Sequence, residues 1–157
     1  MTTTVNADTS TGGAIVTGDA SGNLGLQADG TTLLTLPGNK ASFNKGITEE
    51  YEAVTSTSNA TTVNLNNATN FSHTLTENTT FTFSNPVASG EASSFTLKIV
   101  QDASAAGFVV TWPAAVDWPS ATAPTLTATA SAVDYFVFIT HDGGTTWYGF
   151  TAGQALG

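Results

Sequence analysis

The sequence predicts an all-β protein, and three observations carry that prediction. Thr is the commonest residue, and its branched side chain suits a pleated strand better than a helix. No segment sustains a helical period with caps; the nearest, Thr48-Glu49-Glu50-Tyr51-Glu52-Ala53, offers one turn at most. Short apolar or alternating runs recur instead, each bounded by Gly, Asn, Asp or Pro. Their order predicts an antiparallel β-sandwich of jelly-roll type over residues 51–157, preceded by an extended, short-stranded arm or shaft over residues 1–50.

In the arm, turn signals at Gly12-Gly13, Gly18 to Asn23, Asp29-Gly30, Pro37-Gly38-Asn39 and Asn44-Lys45-Gly46 separate scraps of strand. The scraps are Ala14-Ile15-Val16, Leu24-Gly25-Leu26, Thr32 to Leu36 and Ser42-Phe43. Each supplies too few apolar side chains for a core within one chain. Identical copies wound about an axis would pool them, as stacked repeats do. A tail without fixed structure is the plain alternative.

Beyond the arm the alternation strengthens. Val63-Asn64-Leu65, Phe71-Ser72-His73-Thr74-Leu75 and Thr80-Phe81-Thr82-Phe83 read as half-buried strands, with turns at Asn66-Asn67 and Glu77-Asn78. His73, between Ser and Thr, is expected to face solvent or a subunit contact. Ser94 to Val100 is a further strand, and Phe108 to Thr111 is expected to pair with it. From Trp112-Pro113 to about Ser131 an irregular loop is expected, because Pro113, Pro119 and Pro124 cannot donate ladder hydrogen bonds.

The last signal is the clearest. Val133 to Thr140 and Thr145 to Thr151 are β-branched and aromatic runs, and His141-Asp142-Gly143-Gly144 lies between them. Asp-Gly and Gly-Gly at that place predict a tight hairpin, too apolar to have a wet face.

Charge narrows the function. Net charge is −9, and Lys40, Lys45 and Lys98 are the only strong cations. Such a surface repels phosphate backbones and anionic lipid heads, so neither nucleic acid nor membrane insertion is expected. There is no Cys, which leaves burial or partner chains to supply stability. Met1 to Asn6 lacks the basic and apolar segments of a signal peptide, so folding in a cytoplasm is expected.

No catalytic, cofactor or metal site is expected. His141 occupies a variable turn position, the acids are scattered through turns, and no spacing fixes an active-site geometry. Asp19 to Asn23 has part of a calcium-loop composition but lacks the distal Glu. The sequons at Asn59, Asn67, Asn70 and Asn78 follow from the wealth of Asn and Thr. Trp112 and Trp118, each followed by Pro, have two readings, a plug for the end of the sandwich or, with Tyr148, a stacking platform for a sugar ring.

Two resemblances attach to these residues. Thr140-His141-Asp142-Gly143-Gly144-Thr145-Thr146-Trp147 resembles the Asp-box hairpin of sialidases. That implies a structural turn built by Thr140, Asp142, Gly144, Thr146 and Trp147, and nothing catalytic. Gly22 to Leu36, followed by Phe43-Asn44-Lys45-Gly46-Ile47, is similar to shaft repeats of phage tail fibres. Asn78 to Pro86, Ser94 to Leu97, Thr111-Trp112-Pro113 and Asp142 to Phe150 are similar to a β-domain of surface proteins of tailed phages. The resemblance implies a non-enzymatic virion protein, a homotrimer that contacts other tail or capsid proteins. A short tail fibre or its attachment piece is the first expectation, and a capsid decoration or cement protein the alternative. A carbohydrate-binding module for host surface glycan and a polysaccharide-degrading spike complete the set.

Overall fold

The computed structural model describes residues 23–28, 31–37, 41–43, 46–104 and 107–156. The scrap at Ala14-Ile15-Val16, and the turns expected before Asn23 and at Asp29-Gly30, Gly38-Asn39 and Asn44-Lys45, lie outside them. The chain is all-β and divides into two units, Met1–Thr48 and Glu49–Gly157.

In the first unit β1 (Asn23–Ala28), β2 (Thr31–Pro37) and β3 (Ser42–Phe43) form an antiparallel sheet in the order β1-β2-β3. The register shifts between Leu26 and Gln27, so the hairpin carries an irregularity on its first strand. Phe43 is exposed.

The second unit is built from β4 (Tyr51–Val54), β5 (Ala60–Asn64), β6 (Asn70–Thr74), β7 (Thr79–Ser84), β8 (Ser93–Val100), β9 (Val110–Thr111), β10 (Val116–Asp117), β11 (Val133–Thr140) and β12 (Trp147–Leu156). A six-stranded sheet runs β10-β12-β11-β8-β6-β4, and a three-stranded sheet runs β5-β7-β9. From β4 to β9 the chain alternates between the two sheets, strand by strand. Successive strands within each sheet are therefore parallel: β4 with β6, β6 with β8, β5 with β7 and β7 with β9. Parallel neighbours need a crossover, and here a strand of the opposite sheet serves where a helix often does. The result is a stack of flattened coils.

This corrects the antiparallel expectation for residues 51–111. The turns at Asn66-Asn67 and Glu77-Asn78 carry the chain across to the other sheet, not back along the same one. Phe108 to Thr111 does not pair with β8; β9 extends β7 instead, Thr79 opposite Val110. Tyr51 to Ala53, weighed as a helical turn, begins β4. The loop after Trp112 also contributes more than expected, since β10 pairs in parallel with the edge of β12 and Pro119–Ala121 forms a 3-10 turn.

Alternation decides which side chains are buried. Val63 and Phe81 from the narrow sheet meet Phe71, Phe95, Leu97, Ile99, Phe136, Phe138 and Trp147 from the broad one. Phe83 binds the layers together, with ring centroids 4.9 Å from Phe95, 4.9 Å from Phe138 and 5.5 Å from Trp147. Edge-on contacts at such spacings add to the area term of burial. His73 obeys the same parity. It is 1% exposed, not solvent-facing, because its neighbours two residues away, Phe71 and Leu75, are core. Its Nδ1 donates to the Val54 carbonyl at 2.9 Å, and Nε2 lies 3.3 Å from Thr79 Oγ1.

The coil corners are stitched by asparagine. Asn85 Nδ2 donates to Asn64 Oδ1 at 2.8 Å, and the Leu65 N–H donates to the Ser84 carbonyl at 3.0 Å. Asn59 and Asn85 stand at positive φ, which Asn tolerates better than most residues. The antiparallel pairing of β11 with β8 and with β12 joins the coils to the hairpin, which is not buried on both faces as expected: Tyr135, Tyr148 and Phe150 stand exposed on its outer side.

Candidate functional site

The turn between β11 and β12 is organised by two side chains. Thr140 is fully buried, and its Oγ1 donates to Asp142 Oδ1 at 2.8 Å and accepts from the Gly144 N–H at 3.1 Å. Asp142 Oδ1 also accepts from the Thr146 N–H at 2.9 Å. That backbone bond, with Thr140 second, holds the Asp142 carboxyl below the ordinary aspartate value. Gly143 and Gly144, at the tip of the loop over residues 141–146, both take positive φ, +70° and +80°, which glycine adopts at least cost. Trp147 is buried beneath the turn. A second loop braces it from outside: the Gly90 N–H donates to the His141 carbonyl at 3.0 Å, and Pro86 packs over Gly144.

Past the turn, β12 offers its free edge. The two residues of β10 cover only Trp147 and Tyr148. Next along, a Cβ on Gly149 would lie 2.9 Å from both Trp118 Cζ3 and Val116 Cγ1. The missing side chain lets the Trp118 ring sit directly on the strand. Trp118 then reaches Phe136 and Phe138, with centroids at 6.0 and 5.6 Å.

The three aromatic candidates for glycan contact separate here. Trp118 and Tyr148 line one open groove of about 390 Å³, together with Asp117, Pro119, Gly149 and Phe150. Tyr148 is 46% exposed. Trp112 is turned inward, stacked on Phe81 at 5.7 Å and edge-on to Trp118 at 5.3 Å, and lines a different cavity. The groove combines aromatic faces with the exposed carboxylate of Asp117, a set able to stack on a sugar ring and accept its hydroxyls.

Sequence reasoning missed Asp134, the most heavily bonded acid of the second unit. It is 2% exposed and accepts from the Thr127 N–H at 2.7 Å, the Thr127 hydroxyl at 2.8 Å and the Ala155 N–H at 3.0 Å. Parity was the available signal, since Asp134 shares a face with Phe136 and Phe138. It is a brace that ties the 124–127 loop to the end of β12.

Among the described residues no group of three or more His, Asp or Glu side chains is placed to hold a metal ion. No helix among them is long and apolar enough to cross a membrane. Compared with protein-family models, with curated proteins and with solved structures, the chain matches none.

Proposed function

We propose that this chain is a non-enzymatic structural protein of a bacteriophage virion, a homotrimeric surface protein of the short tail-fibre or fibre-attachment kind. The supporting observation is the outer face of the six-stranded sheet. Its ladder sets Tyr148 beside Ile139, Phe150 beside Val137 and Tyr135 beside Lys98. Tyr135, Tyr148 and Phe150 are exposed there, and the outward strand residues of β6, β8, β10, β11 and β12 carry only two charges, of opposite sign, Lys98 and, beside Tyr148 at the edge, Asp117. In a chain of net charge −9, that face is where like copies approach without repulsion. Contiguous exposed apolar surface of this kind marks protein contacts. The thin first unit adds strands that sister copies would complete.

Light scattering on the full-length chain tests the reading. A trimer is expected at micromolar concentration, and Val137→Glu should dissociate it while leaving the circular dichroism spectrum unchanged. A wild-type monomer at that concentration overturns it. Tail and capsid locations then separate by co-purification: a fibre travels with tails, whereas the alternative, a capsid decoration protein, binds empty heads saturably and raises their melting temperature.

A second reading rests on the groove of Trp118, Tyr148 and Asp117, which has the makings of a host-glycan contact. It predicts that Asp117→Ala abolishes retention on host polysaccharide without changing the mass in solution. Unchanged retention removes it.

A further inference from the structure

The stack of coils has two unlike ends. Beyond β8 the broad sheet is continued by the antiparallel hairpin and finished by β10. At the opposite end β4 is the last strand of the broad sheet and β5 the last of the narrow one. On β5 the outer edge is partly occupied by its own turns. Ala60 exchanges backbone bonds with Thr57, and the Asn64 carbonyl accepts from the Asn67 N–H at 3.0 Å.

The edge of β4 is open. The Asn70 N–H donates to the Glu50 carbonyl at 3.3 Å, which sets the phase of the ladder. In a parallel pair alternate residues turn both backbone groups to the partner, so Glu52 faces β6 while Tyr51 and Ala53 face away. Both residues are exposed, and their outward N–H and C=O groups find no partner among the described residues. Such a row of unpaired groups is a template for a further strand.

Charge says which strand fits. Glu49, Glu50 and Glu52 lie on or beside this edge. Glu49 and Glu52 are held outward of β6 by Asn70 and Asn67, whose Nδ2 groups donate at 2.6 and 3.1 Å. Lys98, the one Lys among the described residues, is two strands away on β8. A second copy is a poor guest here, because β4 laid antiparallel on itself sets Glu52 against Glu52, and like charges directly opposite are destabilising.

We infer that the outer edge of β4 is a docking site for an extended segment of another protein that carries Lys or Arg and adds as a strand to the broad sheet. Its backbone bonds to Tyr51 and Ala53, and its cationic side chains meet the three glutamates. The inference stands apart from the virion reading and from the groove at Trp118.

A short synthetic peptide alternating Lys and Thr tests it against two controls. One control has Glu for Lys; the other is the Lys peptide N-methylated throughout, which keeps its charge but can donate no ladder bond. Each is titrated into the full-length ¹⁵N-labelled chain. The Lys peptide is expected to bind saturably, to shift the Tyr51 and Ala53 amides and to slow their exchange with solvent, and neither control should do so. Glu50→Gln combined with Glu52→Gln should weaken the Lys peptide about fivefold, the upper worth of an exposed ion pair. Ala53→Pro removes an outward donor at an edge position where proline is tolerated, and should weaken it about tenfold. Absence of saturable binding by the Lys peptide overturns the inference. So does equal binding by either control, or an affinity that Ala53→Pro or the two Gln substitutions leave unchanged. Tyr51 and Ala53 amides already protected from exchange in the chain alone overturn it too, since the edge would then be occupied. Should Ala53→Pro not fold, the N-methylated peptide decides in its place.

Discussion

The coils of residues 51–111 and the hairpin of residues 133–156 share one core but are specified in different ways. In the coils each strand's partners lie a full circuit away: Tyr51 pairs with Asn70, and Asn70 with Thr96. In the hairpin Ile139 pairs with Tyr148 across a turn whose own side chains hold it. Local chemistry therefore sets the hairpin, while the coils depend on which faces find the core and on corner bonds such as Asn85 to Asn64. Pairing at long sequence separation incurs loop-closure entropy before any contact repays it. The hairpin strand β11 is accordingly the surface on which the coils complete their sheet.

That dependence is broken most severely at Phe138. The side chain is fully buried and meets Phe83 from the narrow sheet, Phe95 from β8 and Trp118 from the loop. Phe138→Ala should cost about 3–5 kcal/mol through lost transfer energy and the cavity left behind. Urea unfolding followed by circular dichroism and by tryptophan fluorescence should shift together in the variant, because the core is common. Two separated transitions would mean that coils and hairpin are independent units.

Asp134→Ala comes next, and it acts on the hairpin's far end. Removing the carboxylate takes the charged acceptor from the half-buried Thr127 N–H and from the N–H of the exposed Ala155, a loss of about 1.5–3 kcal/mol, the worth of hydrogen bonds to a charged group. Thr127→Val removes the hydroxyl bond alone and should cost roughly 1 kcal/mol. Amide exchange at Ala155 should accelerate far more in the first variant than in the second. Equal rates would show that the carboxylate is not the tie.

The same contrast explains what could be read from the residues in order. The hairpin was legible because Asp142, Gly143 and Gly144 state their geometry within a few positions. Strand positions in the coils were legible too, since alternation is local. Pairing direction was not, because Phe71 and His73 alternate identically whether their neighbour runs parallel or antiparallel. His73 shows a different failure: its polar neighbours outweighed the parity that buries it. The tilt of Trp118 onto β12 depends on the bare backbone at Gly149, which no residue near Trp118 reveals.

At the turn, Gly144→Ala should cost about 1–3 kcal/mol, because φ is +80° and the new Cβ would stand 2.9 Å from Pro86 Cγ. Pro86 belongs to the segment after β7, so the strain would pass to a coil corner. A variant whose thermal midpoint matched wild type would show that the corner yields freely.

The smallest effect concerns pH and Asp142. Its folded-state pKa is depressed, chiefly by the Thr146 N–H and then by the Thr140 hydroxyl. A depressed carboxyl stabilises the fold above its unfolded pKa, and that contribution is lost as pH falls through the folded value. The loss should begin below about pH 4, where an ordinary aspartate starts to bind its proton. Asp142→Asn keeps an oxygen for the Thr146 N–H but has no proton to gain, so it should be less stable than wild type at neutral pH. The gap should narrow as the solution is acidified through that window. Asp102, lowered chiefly by the Ser104 side chain, titrates in the same direction and remains in both proteins, so it cancels from the difference. Thermal midpoints of the two proteins from pH 7 down to pH 3 measure the gap, and one that stays constant would assign the acid sensitivity to other groups.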